Sequence, residues 1–192
     1  NSAIKSLENF NQLKTWSNQQ KVSTEVWRRD IALSSPLNQE INFHFLDTFD
    51  GMPINKEKNK TFAEGTFKSD FEEVKKEIKK YSLSDSKCYF YKGLFIDSRE
   101  NLAINIGSDK VAIVNFDCDL ESSTADALKI MNIYFQIGSV ILFDDYNCFN
   151  ANNKLGQRKA FRDYLAKTGF IFEKFFNYGY AGQSFLIVDQ KN

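Results

Sequence analysis

Apolar positions along the chain follow two rhythms, and the switch between them marks the elements. Ile4, Leu7, Phe10, Leu13 and Trp16 recur at helical spacing, which predicts an amphipathic helix over 3–16. A shorter helix is predicted over 26–34, ending near Ser35-Pro36. Ile41 to Asp47 reads as a strand that runs into the turn Phe49-Asp50-Gly51-Met52-Pro53. Residues 54–65 read as a polar, lysine-rich loop. Ser69-Asp70-Phe71-Glu72 has the composition of a capping box, and the helix behind it would bury Phe71, Val74, Ile78 and Tyr81. Cys88 to Lys92 is the next strand, followed by Gly93 and a short helical or irregular piece around 97–104.

The second half is more regular. A strand over 111–117 leads to a helix opened by Ser122-Ser123-Thr124, with Ala127, Leu128, Met131 and Phe135 inward. A strand over 139–144 leads to a helix near 155–168 that buries Ala160, Phe161, Tyr164 and Leu165 and stops at Gly169. Two late strands, near 170–177 and 184–189, share the Tyr178-Gly179-Tyr180 corner as an antiparallel hairpin. Strands alternating with helices predict an α/β, doubly wound, mostly parallel sheet closed by this C-terminal antiparallel hairpin.

Composition narrows the picture. The 192 residues suit one domain, with residues 1–40 as its N-terminal helical part. Lys plus Arg equals Asp plus Glu at 25 each, so no overall field draws the chain to nucleic acid or an anionic membrane. Nineteen Phe, eight Tyr and two Trp suit a packed core and an apolar ligand cleft. Cys88, Cys118 and Cys148 share no metal-ligand spacing, and an odd count argues for buried, reduced thiols over a disulfide framework. No apolar run reaches the roughly 18–20 residues that span a bilayer, and no secretory signal is visible, so a cytoplasmic location is expected. The chain opens on Asn1 rather than Met, which leaves room for native sequence upstream.

The chemistry collects at the ends of two apolar runs. Val111-Ala112-Ile113-Val114-Asn115-Phe116 leads into Asp117-Cys118-Asp119, and Ser139-Val140-Ile141-Leu142-Phe143 leads into Asp144-Asp145-Tyr146. Runs of this kind read as strands buried on both faces, and ligands of open α/β sheets bind beyond the carboxyl ends of such strands. Four acids gathered there repel unless something neutralises them. Oxygen donors alone point to a hard cation, Mg²⁺ first and Mn²⁺ or Ca²⁺ next. Asp117 and Asp119 share strand parity, so their carboxylates converge if the strand persists. The plainer readings are a solvated strand-end turn for Asp117 and Asp119, a turn and helix cap for Asp144-Asp145, and a turn-shaping role for Asp47. His44, the only histidine, reads as a core or edge residue.

Four segments resemble the macrocin/mycinamicin-type sugar O-methyltransferases, a metal-dependent branch of the class I S-adenosylmethionine (SAM) methyltransferases. They are Leu46-Asp47-Thr48-Phe49-Asp50-Gly51-Met52-Pro53, Phe62-Ala63-Glu64-Gly65-Thr66-Phe67, Phe116-Asp117-Cys118-Asp119-Leu120-Glu121-Ser122-Ser123-Thr124 and Leu142-Phe143-Asp144-Asp145-Tyr146. The likeness runs over residues 41–189. It implies a Rossmann-like methyltransferase domain with SAM and Mg²⁺ or Mn²⁺ as cofactors. It further implies that Asp47, with Thr48 and Phe49, holds SAM, that Asp117, Asp144 and Asp145 bind the metal, and that Asp119 is the general base. The acceptor would be a small molecule or glycan hydroxyl, with neither nucleic acid nor membrane as partner; a homo-oligomer is compatible with it.

One segment departs from the family. Its glycine-rich loop is replaced by Ser23-Thr24-Glu25-Val26-Trp27-Arg28-Arg29-Asp30-Ile31-Ala32, and no glycine occurs between Asn1 and Gly51. Backbone can approach a ligand closely only where side chains do not intervene, so weak or absent SAM binding is expected. Two other readings stay open on sequence. One is a methyltransferase fold with a degenerate SAM site acting as a binding module; the other is a glycosyltransferase holding a metal and nucleotide-sugar through Asp117-Cys118-Asp119.

Overall fold

The computed structural model describes residues 42–55, 62–80 and 88–191. The helices expected over 3–16 and 26–34, the segment 23–32 and Tyr81 lie outside them. The described elements, in chain order, are strand β1 (Phe43–Asp47), helix α1 (Phe71–Lys80), β2 (Cys88–Lys92), α2 (Arg99–Ile106), β3 (Ile113–Phe116), α3 (Glu121–Met131), β4 (Val140–Phe143), α4 (Gly156–Leu165), β5 (Phe170–Tyr178) and β6 (Gly182–Gln190). Short 3₁₀ turns precede α2 at Ile96–Ser98, follow α3 at Asn132–Tyr134 and lie at Phe149–Ala151.

Among the described residues the strands form two sheets, β1-β2 and β3-β4-β6-β5. β1 pairs parallel with β2 from Phe43↔Cys88 to Asp47↔Lys92, and β3 pairs parallel with β4 from Ile113↔Val140 to Phe116↔Phe143. β6 runs antiparallel to both β4 and β5, which is the expected terminal hairpin. The α/β class, the parallel pairs and the hairpin all match the sequence reading. β3 is shorter than expected and only partly covered: Ile113 is exposed, because β3 ends the order of its sheet and no described strand lies along its outer edge.

Local chemistry explains the helix ends. The cap of α1 is Asp70, one residue beyond the expected Ser69: its carboxylate accepts the Glu73 N–H at 2.8 Å, with Glu72 and Glu73 in the first turn. Phe71 then packs on Phe49 at 4.7 Å and edge-on to Phe90, fixing α1 against the first sheet. α3 starts at Glu121 after an extended Leu120, so Ser122 and Ser123 fall inside its first turn instead of capping it. α4 ends at Leu165, which is exposed, not buried as expected; Ala166 takes the cap position and Gly169 comes later.

The core lies between the four-stranded sheet and helices α2 to α4. Leu102, Leu128, Ile141, Phe143, Phe161 and Ile187 are almost fully buried. Phe161 sits 4.7 Å from Phe143 and 4.6 Å from Phe185, ring centroid to ring centroid. On the other face Val140 and Leu142 pack with Phe176 and Tyr178. β4 is therefore buried on both faces, as its unbroken apolar run requires. No described helix is long and apolar enough to cross a membrane.

Candidate metal and active site

Register brings the acids together. Phe116 and Phe143, the last residues of β3 and β4, are paired, so Asp117 and Asp144 leave the sheet side by side. The Asp144 N–H donates to the Phe116 carbonyl at 3.1 Å, extending the parallel pairing by one bond. Carboxylate oxygens of Asp117, Asp144 and Asp145 lie within 4.8 Å of one another. Trans ligands on a Mg²⁺ ion are about 4.2 Å apart and on Ca²⁺ up to about 5 Å, so a small closure lets the three share one hard cation. All donors are oxygen, which fits that class of ion.

Asp119 arrives by another route than expected. The strand ends at Phe116, so parity no longer operates two residues on. Instead Asp119 adopts a left-handed backbone, φ 51°, with the Leu120 N–H donating to the Cys118 carbonyl at 2.5 Å. Non-glycine residues in that region are uncommon and gather at functional sites. Cys118 points inward, its Sγ 3.4 Å from Thr124 Oγ1, and the Thr124 hydroxyl donates to the Leu120 carbonyl at 2.8 Å. This buried clasp fixes the turn that carries both acids.

Electrostatics mark the same place. Burial, then the Asp145 carboxylate and its hydrogen bond, then Asp117 and Asp144, push the Asp119 carboxyl up to about 8. Burial also raises Asp145. The hydrogen bond between the two side chains acts in opposite senses, raising Asp119 and lowering Asp145. The Cys148 thiol donates to Asp145 at 3.4 Å; burial and these carboxylates push it up to about 12, as burial does for Cys118. The cysteines are free thiols as expected, although only Cys118 is buried; Cys88 and Cys148 are half-buried.

The residues assigned to the cofactor stand on the first sheet. Asp47 is exposed at the carboxyl end of β1, its Oδ1 accepting the Phe49 N–H at 2.5 Å. The Thr48 hydroxyl donates to the Gly51 carbonyl at 2.8 Å. Phe49 is buried against Phe71 and has φ 57°. Gly51, φ 87°, leaves no room for a side chain: a Cβ would lie 2.6 Å from the Thr66 carbonyl, where paired bonds between Met52 and residues 65–66 close the neck of the following loop. His44 stacks on Tyr89 and bonds Tyr91 Oη at 2.9 Å, a packing role as expected. Tyr178 is buried, whereas Tyr180 is fully exposed.

Sequence reasoning passed over three residues near the acids. Gln157 is fully buried; its Oε1 accepts the Asp145 N–H at 2.9 Å and its Nε2 donates to the Phe116 carbonyl at 2.9 Å. Arg158 covers the Tyr146 ring at 4.8 Å and donates to Asn147 at 2.8 Å. Phe149 packs on Phe62 at 5.3 Å and into the space left by Gly156, where a Cβ would lie 2.7 Å from its ring. Phe149, Asn150 and Ala151 all have φ 55°, a left-handed turn of three non-glycine residues held by bonds from Ala151 to Asn147 and from Asn152 to Phe149. A cleft of about 300 Å³ between β2 and α2, lined by Lys92, Asp97, Asn101 and Asn105, includes none of the four acids.

Comparison with known proteins gives the family and the fold. The family model described as macrocin-O-methyltransferase (TylF) matches residues 20–170. An 8-demethyl-8-(2,3-dimethoxy-α-L-rhamnosyl)-tetracenomycin-C 4′-O-methyltransferase from Streptomyces olivaceus is 27% identical over 108 residues, which are 52% of this chain and 40% of that protein. Among solved structures, the O-methyltransferase NovP superposes with a TM-score of 0.65 at 21% identity, over 84% of this chain and 66% of its own. The calicheamicin methyltransferase CalS11 gives 0.61 at 19%, over 76% and 60%. An O-methyltransferase from Bacillus cereus, in complex with SAH (S-adenosylhomocysteine), gives 0.52 at 14%, over 98% and 91%. At these identities the structural likeness shows the fold, that of O-methyltransferases. The chain spans two fifths of the tetracenomycin enzyme's length.

Proposed function

The chain belongs to the macrocin-O-methyltransferase family, and from that premise we propose that it is a SAM-dependent, Mg²⁺-assisted O-methyltransferase acting on a sugar or glycan hydroxyl. The observation that carries the reading is the set of Asp117, Asp144 and Asp145 at ligand spacing, with Asp119 bonded beside them. SAM supplies a methyl group on a positively charged sulfur, and a divalent cation held by the three aspartates supplies a charge that lowers the pKa of an acceptor hydroxyl.

The chain's own residues do the rest. Asp119 takes the proton that the acceptor hydroxyl releases. Burial first, and its carboxylate neighbours after it, raise the Asp119 carboxyl to about 8; balancing the charge of those neighbours would remove the repulsive part of that rise and bring Asp119 toward the range of a base at neutral pH. Asp47, exposed and oriented by the Phe49 N–H, would accept hydrogen bonds from ribose hydroxyls of SAM, as charged acceptors do well. A sugar acceptor accords with the rhamnosyl group in the tetracenomycin relative's name.

The test is methyl transfer from SAM to a panel of glycosides, with Mg²⁺ and with EDTA, alongside isothermal titration with SAH. Mg²⁺-dependent methylation is the expected result, with weak SAH binding because of the segment 23–32. Transfer that ignores EDTA would remove the metal from the mechanism. Absent heat with SAH, together with absent transfer, would leave a binding module.

A further inference from the structure

Gln157 is a full-length amide buried where a methionine or leucine would fill the same space. Burying an amide is unfavourable unless each polar end is bonded, and replacing such groups by well-packed apolar ones is often neutral or stabilising. Both ends of Gln157 are bonded, and their partners are the backbone of the acid cluster. One bond reaches the carbonyl of Phe116, directly before Asp117; the other comes from the N–H of Asp145. The Phe116 carbonyl also receives the Asp144 N–H. All three candidate ligands therefore hang from one node. Strand pairing ends at Phe116↔Phe143, and beyond it the two chains carry like charges that push them apart.

We propose that Gln157 is a positioning residue that holds Asp117 and Asp145 at ligand spacing for a divalent cation. The inference rests on the metal reading above. It gives α4 a purpose beyond covering the sheet: its first turn supplies the tie across the ends of β3 and β4.

The test uses Mn²⁺ as probe, with free ion followed by electron paramagnetic resonance during titration of the whole chain. Three variants are compared with wild type: Gln157→Met, which loses both bonds; Gln157→Glu, which keeps the acceptor for Asp145 but faces the Phe116 carbonyl with a carboxylate; and Ser184→Ala. Ser184 is fully buried and bonds the Phe176 backbone in the β5-β6 hairpin, so its loss lowers stability away from the acids. Near-UV circular dichroism reports the fold.

Both Gln157 variants should weaken Mn²⁺ binding by about 10–100-fold, the usual loss for groups that orient metal ligands, while Ser184→Ala stays within about twofold of wild type. Wild-type affinity in folded Gln157→Met overturns the proposal and leaves the metal reading standing. A wild-type chain that binds no Mn²⁺ overturns both. Failure of both Gln157 variants to fold makes Gln157 a general core residue and also overturns the proposal; if only Gln157→Met fails, Gln157→Glu decides.

Discussion

Replacing Asp144 with Asn removes one of three carboxylates whose oxygens lie within 4.8 Å of each other, and does so without changing shape. At that separation two unit charges repel by about 0.9 kcal/mol in bulk water and by about 3.5 kcal/mol at an effective dielectric of about 20. Asp117 is exposed and Asp144 and Asp145 are half-buried, so relief of both repulsions falls at the lower end, about 1–3 kcal/mol in total. The backbone bond from Asp144 to Phe116 is kept. In EDTA the variant should therefore melt higher than wild type, by about 2–4 °C per kcal/mol for a chain of this size.

Saturating Mg²⁺ should reverse the order. An ion at one hundred times its dissociation constant stabilises the folded state by about 2.7 kcal/mol, and Asp144→Asn forfeits most of that. The assay is differential scanning calorimetry of both proteins in EDTA and across a Mg²⁺ series. A crossing of the two curves is the signature. A variant less stable than wild type in EDTA, with an undiminished Mg²⁺ shift, would refute the claim that these carboxylates repel one another and share an ion.

Three other outcomes follow from the structure. Asp119→Asn should lower kcat and kcat/KM together, by about 10²-fold or more, while Mn²⁺ affinity is retained; an active variant would send the proton elsewhere. His44 is held below its ordinary value of 6.5 by burial, with Asp109 opposing weakly, so the folded state binds fewer protons than the unfolded one. Its contribution is fully present above pH 6.5 and lost as pH falls below it, so His44→Gln should flatten the acid limb of stability against pH, read by urea titration. Phe161→Ala should cost about 3–5 kcal/mol in the same urea assay, because its fully buried ring meets Phe143, Phe172 and Phe185; a loss below about 1 kcal/mol would show that the core can refill the space.

Legibility in the sequence followed the range of the forces involved. β4 could be read because four successive apolar residues buried on both faces leave one solution, and β2 because its run is bounded on both sides. The pairing of Asp117 with Asp144 followed from parallel strands ending in register. Asp119 was singled out on sequence but its route was not legible: a left-handed turn at a non-glycine residue has no sequence signal, and the Cys118–Thr124 clasp beside it joins residues six apart. Gln157 was illegible for the same reason. On sequence it is one polar residue at the start of a helix, and its two bonds reach partners 12 and 41 positions away. The helix ends slipped by a residue or a few because Ser69 and Asp70 compete for one cap, and because Leu165 continues the apolar period past the last buried turn.

The left-handed turn at Phe149–Ala151 bears on how this chain can be diversified. Three such residues carry a penalty of about 1–2 kcal/mol each, so the turn persists only while its anchors do. Besides its own backbone bonds, its anchors lie outside it, in the hollow at Gly156 and on the Phe62 ring of a distant loop. A change of length in either loop therefore disturbs the other through this contact, and a library that varies 152–155 with Phe149, Gly156 and Phe62 fixed keeps more folded members than one that randomises the whole segment.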